Sequence, residues 1–218
     1  MTDSRRLAAP PRTPPAPAGS DRRDSRNRAL AVALELFDRQ GPSATTIEQV
    51  RDAARISIGS LYHHFRSREG LMAALYADLL ERYRAVLAAE LTRRDDARSL
   101  LDGFVATHIA WAVANPAAAR FLAEYRRDPD VIATESDLQR GTADFLRPLL
   151  ARLKPAMAAG SIRALPPELL LSLVVGPVQA WLRLWLDGRT SQKPEAAARK
   201  LSDLIWAALA GTAGQSHA

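Results

Sequence analysis

The chain is 218 residues long, 47% hydrophobic and 25% charged, with a net charge of +6, which suits one large domain or a small module joined to a larger one, with a sizeable core. It has no cysteine, which excludes disulfides, thiolate zinc sites and cysteine nucleophiles and fits a reducing cytoplasm. Residues 1–70 carry twelve arginines against eight carboxylates, a net +4, and residues 71–218 carry only +2; a polyanionic partner is expected at the N-terminal end, although a basic tail kept for solubility would give the same imbalance.

Arg5 and Arg6 run into prolines rather than an apolar stretch, so no secretory signal is expected. Residues 1–20 hold five of the 14 prolines, and with so little apolar area to offset ordering entropy a disordered basic arm is expected over 1–23. From about Ser25 the pattern turns helical: Leu30, Ala33, Leu34 and Phe37 recur on one face, and Gly41-Pro42 ends the helix. Thr45-Thr46-Ile47-Glu48 fits a capping box opening a short second helix, with Thr45 as the cap and Ile47, Val50 and Ala54 inward. Ser57 caps a third helix from Ile58 to about His64, with Leu61 and Phe65 as its apolar side, and Ser67 caps a long fourth helix.

Further helices are expected at 97–114, 117–127, 131–159, 167–187 and 194–210, punctuated by Asn115-Pro116, Asp128-Pro129, Gly160, Pro166-Pro167 and Gly188. Pro148 bends or splits the third of these, and Gly176-Pro177 kinks the fourth. No stretch alternates with period two, so the expected fold class is all-α, with about nine helices. The apolar run within 169–186 is broken by Ser172, Gly176, Pro177, Gln179 and Arg183, which argues against a membrane span.

Three short helices, the second and third joined by a tight turn, make a helix-turn-helix. A helix entering the major groove, ~12 Å wide, must be slim at its exposed start, and Ser57-Ile58-Gly59-Ser60 supplies small groups there. Tyr62, His63 and His64 offer hydroxyl and imidazole groups to phosphates or base edges, and Arg66 and Arg68 follow where they can pair with phosphates. Adjacent His63 and His64 point about 100° apart and have no acidic or histidine partner at i+4, so no metal site is expected.

Thr45-Thr46-Ile47 followed by Ser57 to Glu69, with the lead-in Ala33-Leu34-Glu35-Leu36-Phe37 and Gly41, resembles the signature of the tetracycline-repressor family over about residues 25–75. The resemblance implies an all-helical homodimer: a DNA-binding head (24–70) that reads a palindromic operator in double-stranded DNA, and a body (71–218) for effector binding and dimerisation. By position it implies phosphate contacts from Thr46, Tyr62 and Arg68, groove contacts from Ile58, Gly59, Ser60 and His63, and Gln49 at the groove edge; Thr45, Ser57 and His64 complete the expected DNA-facing set. Two residues depart from the family pattern. Arg55 stands where glycine is usual in the turn, where a left-handed backbone costs a non-glycine residue roughly 1 kcal/mol or more. Arg51 stands where alanine is usual and must lift its charge to solvent or phosphate.

For the body, the expected effector pocket draws on Phe104, His108, Trp111, Phe121, Tyr125 and Phe145, against ordinary core packing as the plainer reading. Val174, Val178, Trp181 and Trp185 form one apolar stripe, and Leu201, Ile205 and Leu209 lie on another, expected to pair with their symmetry mates as a four-helix dimer interface. No acid–base or nucleophile–base pair stands out, so no enzyme and no cofactor are expected; Glu124 and Asp128 read as a solvated face. The expected function is a cytoplasmic, ligand-responsive DNA-binding regulator, and the resemblance implies that it is a repressor. A sequence-independent DNA binder and a helical small-molecule carrier stay open as alternatives.

Overall fold

A computed structural model describes the backbone of residues 18–94, 96–125 and 135–211, and the side chains of 23–94, 96–125 and 147–211. Among these residues nine helices follow one another: α1 (Ala18–Gln40), α2 (Ile47–Ala54), α3 (Ile58–Phe65), α4 (Arg68–Leu91), α5 (Ala97–Ala114), α6 (Pro116–Tyr125), α7 (Glu135–Ala158), α8 (Pro167–Leu186) and α9 (Pro194–Leu209). The only β-type pairing among them is a one-residue bridge, Ile162 to Ala210, by which the loop before α8 is held against the end of α9. The expected arm is corrected at its C-terminal edge, since α1 begins at Ala18 and takes in residues 18–23; residues 1–17 lie outside the described part.

Helix starts follow side-chain capping. Ser57, Ser67 and Asp96 each accept from the backbone amide three residues on, satisfying a donor that the first turn leaves free. At α2 the expected cap is one residue out of place: Thr46, not Thr45, accepts from the Gln49 amide at 3.2 Å, and Gln49 returns the bond to the Thr46 amide at 2.9 Å. Thr45 is instead drawn inward, 3% exposed, with its hydroxyl donating to the Gly41 carbonyl at 2.9 Å. Two capping boxes overlap in Thr-Thr-Ile-Glu-Gln, and burial of Thr45 selects the later one.

Two apolar clusters carry the fold. The first joins α1–α3 to the start of α4 (Leu71, Leu75, Leu79) and takes in Ala118 and Phe121 of α6. The second fills the body between α4, α5, α8 and α9, with Leu87, Leu101, Phe104, Val174, Val178 and Ile205 at its centre. Packing is thus continuous across residue 70. The Phe37 ring stacks on Phe121 with centroids 5.6 Å apart, and Arg120 pairs with Asp38 beside them, so α6 locks the head to the body.

Helix α8 is long and apolar enough to cross a membrane by length and composition; its polar interruptions are too few to lower the average much. Its Leu170, Val174, Val178, Trp181 and Leu182 are nevertheless buried in the protein's own core. That overturns part of the expected dimer surface. Val174, Val178, Trp181, Ile205 and Leu209 are buried within one subunit, and Trp185 and Leu201 are half-buried against the same cluster. The stripe chosen from the sequence is the inward one. The outward face of α8 carries Leu169, Leu173 and Leu184, and that of α9 carries Leu204.

Candidate DNA-binding surface and body cavity

The head is built so that one side of α3 is left open. Leu61 and Phe65 anchor α3 in the core, and Ile47, Val50 and Ala54 do the same for α2. One turn around α3, Ile58 is 41% exposed and Tyr62 45% exposed, with Ser57, Gly59 and His63 also exposed and Ser60 and His64 half-buried. A side chain added at Gly59 would meet nothing within 4 Å, so its small size leaves space outside the protein rather than relieving a contact within it. Ile58 and Tyr62, four residues apart, share this open face and together form a small apolar patch beside polar groups, suited to a covering partner.

The turn at 41–46 fixes how α2 and α3 are presented. Gln40 Nε2 donates to the Ala44 carbonyl, Thr45 Oγ1 and Gln49 Oε1, at 3.2, 3.2 and 3.0 Å. Arg68, at the entrance to α4, donates Nε to the Thr45 carbonyl at 3.2 Å and its terminal nitrogen to the Pro42 carbonyl. Within the free subunit, Arg68 is a half-buried staple, and Thr45 has almost no surface to offer a ligand. Thr46 and Gln49 stay exposed on the capping box.

Both departures from the family pattern have a structural outcome. Arg55 sits in the left-handed region, φ 53° and ψ 48°, and its amide closes α2 onto the Arg51 and Asp52 carbonyls. Arg51 lifts its charge to solvent, as expected, where its guanidinium pairs with the exposed neighbouring Asp52, Nε to Oδ1 at 2.7 Å, and that bond holds the Asp52 carboxyl below its usual range. The exposed cations next to α3 are therefore Arg55 and Arg66, which have no ion pair with any described carboxylate. Arg66 also has a positive φ of 60°, a strain the sequence did not signal.

In the body, a cavity of about 160 Å³ opens between α4, α5, α6 and α8, lined by Tyr76, Tyr83, His108, Trp111, Gln179 and Arg183 among others. Of the expected pocket residues whose side chains are described, His108 and Trp111 line it. Phe104 is buried in the body core, edge-on to His108. Phe121 and Tyr125 stack on each other at 4.6 Å beside the head, and with Phe37, on which Phe121 also stacks, they line a shallow groove there. Phe145 falls in the first half of α7, where the side chains of residues 135–146 lie outside the described part. The sequence reading missed the α4 contribution, Tyr76, Leu80 and Tyr83, although their i, i+4, i+7 spacing puts them on one face. Tyr83 and Trp111 meet edge to face at 5.0 Å, and Tyr83 meets His108 at 5.3 Å. Burial pushes His108 down to about 4, so the imidazole is neutral near pH 7, and the same burial raises the Tyr83 phenol.

Comparison with known proteins agrees with this geometry. The profile of the bacterial regulatory proteins of the tetR family matches residues 29–75. The transcriptional repressor KstR2 of Rhodococcus jostii is 38% identical over 98 residues, 43% of this chain and 46% of that protein; the chain thus aligns with under half the length of the KstR2 relatives. The transcriptional regulator UidR of Escherichia coli K12 is 27% identical over 158 residues, 70% of this chain and 79% of that protein. A TetR-family regulator from Marinobacter aquaeolei superimposes with a TM-score of 0.72 at 19% identity, covering 88% of this chain and 99% of that one. FadR of Bacillus subtilis, solved with stearoyl-CoA, superimposes with a TM-score of 0.71 at 14% identity, covering 82% and 96%. At such identities the last two show the shared fold alone.

Proposed function

We propose that the chain is a transcriptional repressor of the tetR family of bacterial regulatory proteins, whose profile residues 29–75 match and whose repressor KstR2 shares 38% identity over 98 residues: as a homodimer it binds a palindromic operator through α3 and is released by a small-molecule effector held in the body. The observation that supports this reading most is the uncovered face of α3. Ile58, Gly59, Tyr62 and His63 are exposed on a helix whose opposite face is fixed in the core. Small groups at its start admit the backbone to a major groove, and Arg55, Arg66 and Thr46 flank it toward the phosphates. Ser57, Ser60, His64 and Gln49 stand at the margins of the same surface. Thr45 and Arg68 act by holding the turn that presents α2 and α3.

Two such heads must stand about 34–36 Å apart to enter successive grooves. The outward residues Leu169, Leu173, Ala180 and Leu184 on α8, with Leu204 on α9, suit a self-complementary interface across a two-fold axis. The effector acts through α4 and α6, which touch both the cavity and the head cluster; DNA and effector binding are then coupled reciprocally, typically by about 1–3 kcal/mol.

The test is a gel-shift titration on the intergenic DNA next to the chain's own gene, with random DNA as competitor. Tyr62→Phe weakens specific binding about tenfold while the protein keeps its melting temperature and dimer mass. Equal affinity for random and intergenic DNA would replace the reading with a sequence-independent DNA binder.

A further inference from the structure

The body cavity contains an unusual pairing of groups. His108 is 5% exposed and its Nδ1 has no hydrogen-bond partner. A buried polar atom left unsatisfied costs roughly 1–3 kcal/mol, and in a cavity wall a bound molecule can recover it. Tyr76, Tyr83 and Trp111 line the same cavity as His108, and the Tyr83 ring lies edge-on to the imidazole at 5.3 Å. Arg183 is exposed and has no described carboxylate partner, and Gln179 lies one turn before it on α8. No aspartate or glutamate among the described residues lines the cavity. Its fixed charge is therefore positive, and its deep polar atom belongs to an uncharged imidazole.

The volume suits a single ring. An apolar cavity of about 150 Å³ accommodates one benzene ring, and this one measures about 160 Å³. A larger open groove between α5 and α9, about 700 Å³, fits a ligand less well. Asp102 Oδ2 and Asp203 are already paired with Arg98, Asp102 Oδ1 and Glu195 add acceptors that would repel an acid, and much of its floor is small alanine side chains.

We propose that the cavity between α4, α5, α6 and α8 takes a compact aromatic hydroxy acid, its ring among Tyr76, Tyr83 and Trp111, its carboxylate on Arg183 and its hydroxyl on His108 Nδ1. A hydroxyl both donates and accepts, so it satisfies Nδ1 in either neutral tautomer. The carboxylate gains a charge-assisted bond that an amide or alcohol lacks. This assignment rests on the ligand-responsive reading above and narrows it to one chemical class.

The test is isothermal titration of the full chain with 4-hydroxybenzoate and 4-hydroxyphenylacetate. Controls are benzoate and phenylacetate, the amides of the hydroxy acids, and stearoyl-CoA. At least one hydroxy acid binds, with its deoxy analogue and its amide each about tenfold weaker. Arg183→Gln, at an exposed site, removes the preference for acid over amide; His108→Leu removes the preference for the hydroxyl while binding of the deoxy acid persists. Binding of stearoyl-CoA but of neither hydroxy acid overturns the assignment, as does equal binding of acid and amide. Gel shifts separate the two levels. If some other small molecule releases DNA, only the chemical class falls. If hydroxy acids bind and DNA release does not follow, the class holds and the ligand-responsive reading falls.

Discussion

Gly103 of α5 faces the carboxylate of Glu90 at the end of α4 so closely that a methyl group on Gly103 would lie 2.5 Å from Glu90 Oε1. Glu90 is buried, and its Oε1 accepts from Arg94 Nε at 3.0 Å with Arg93 nearby at 3.7 Å. The glycine therefore gives up helix propensity, worth about 1 kcal/mol against alanine, so that a buried carboxylate can keep its partner where α4 meets α5.

A double-mutant cycle reads this directly. Gly103→Ala in the native chain leaves stability unchanged or lowers it, because the gain in propensity is offset by displacing Glu90. In a Glu90→Ala background the same change stabilises by about 1 kcal/mol. Chemical denaturation of the four variants measures both, and a stabilisation of equal size in the two backgrounds would show that Gly103 has another purpose.

The left-handed Arg55 gives a simpler expectation. With φ 53° and ψ 48°, it sits where glycine loses nothing and other residues are strained. Arg55→Gly should raise stability by up to about 1 kcal/mol in thermal melts, less whatever glycine adds to the entropy of the unfolded chain. It should also weaken operator binding, since one of the two cations beside α3 is gone; a stabler protein with unchanged affinity would remove Arg55 from the DNA-facing set.

These residues also show what the sequence made legible. Helix existence and order followed from apolar spacing and punctuation, because each helix buries one face and the breaks coincide with Gly, Pro or a capping side chain. What failed was the choice between faces of helices apolar nearly all round. Val178 and Leu184 look alike in sequence, and only packing against α5 decides that the first is core and the second faces water. The same ambiguity sent Phe121 to the effector pocket when its ring belongs against Phe37. In the head, spacing found α3, but the network of Gln40, Thr45 and Arg68 runs from residue 40 to residue 68 and has no local pattern to reveal it.

Arg68 and Tyr62 should therefore separate in experiment. Arg68→Ala removes two charge-assisted bonds to the carbonyls of Pro42 and Thr45 and lowers both melting temperature and DNA affinity, the former by roughly 1.5–3 kcal/mol in stability. Tyr62→Phe lowers affinity alone. Equal melting temperatures for the two variants would mean that the staple contributes nothing in solution.

His108 sets a pH dependence with a definite sign. Its folded value is about 4, below the ordinary 6.5, and burial is the cause. The groups around it are Tyr83 on α4, Phe104 and Trp111 on α5, and Gln179 and Arg183 across the cavity on α8; none is a carboxylate that would favour the imidazolium. Between pH 6.5 and 4 the unfolded chain binds the proton and the folded chain resists it, so stability is complete above 6.5 and declines as pH falls, by up to about 3 kcal/mol at pH 4. His108→Gln cannot titrate and loses this part of the decline. Parallel stability–pH curves for the two proteins would place the responsible group elsewhere.

Finally, the two faces of α8 and α9 should give opposite phenotypes. Leu204 is 62% exposed and lies beyond the subunit's own core, whereas Leu170 is fully buried within it. Leu204→Glu places a charge on the proposed two-fold contact, where each copy meets its mate's; it should yield a folded monomer by light scattering and lose operator affinity, because the second head no longer arrives with the first. Leu170→Ala should instead lower stability by about 2–5 kcal/mol and leave any folded protein dimeric. If Leu204→Glu remains a dimer at micromolar concentration, the outward stripe of α8 and α9 is not where the copies meet, and the spacing of the heads must be set by another surface.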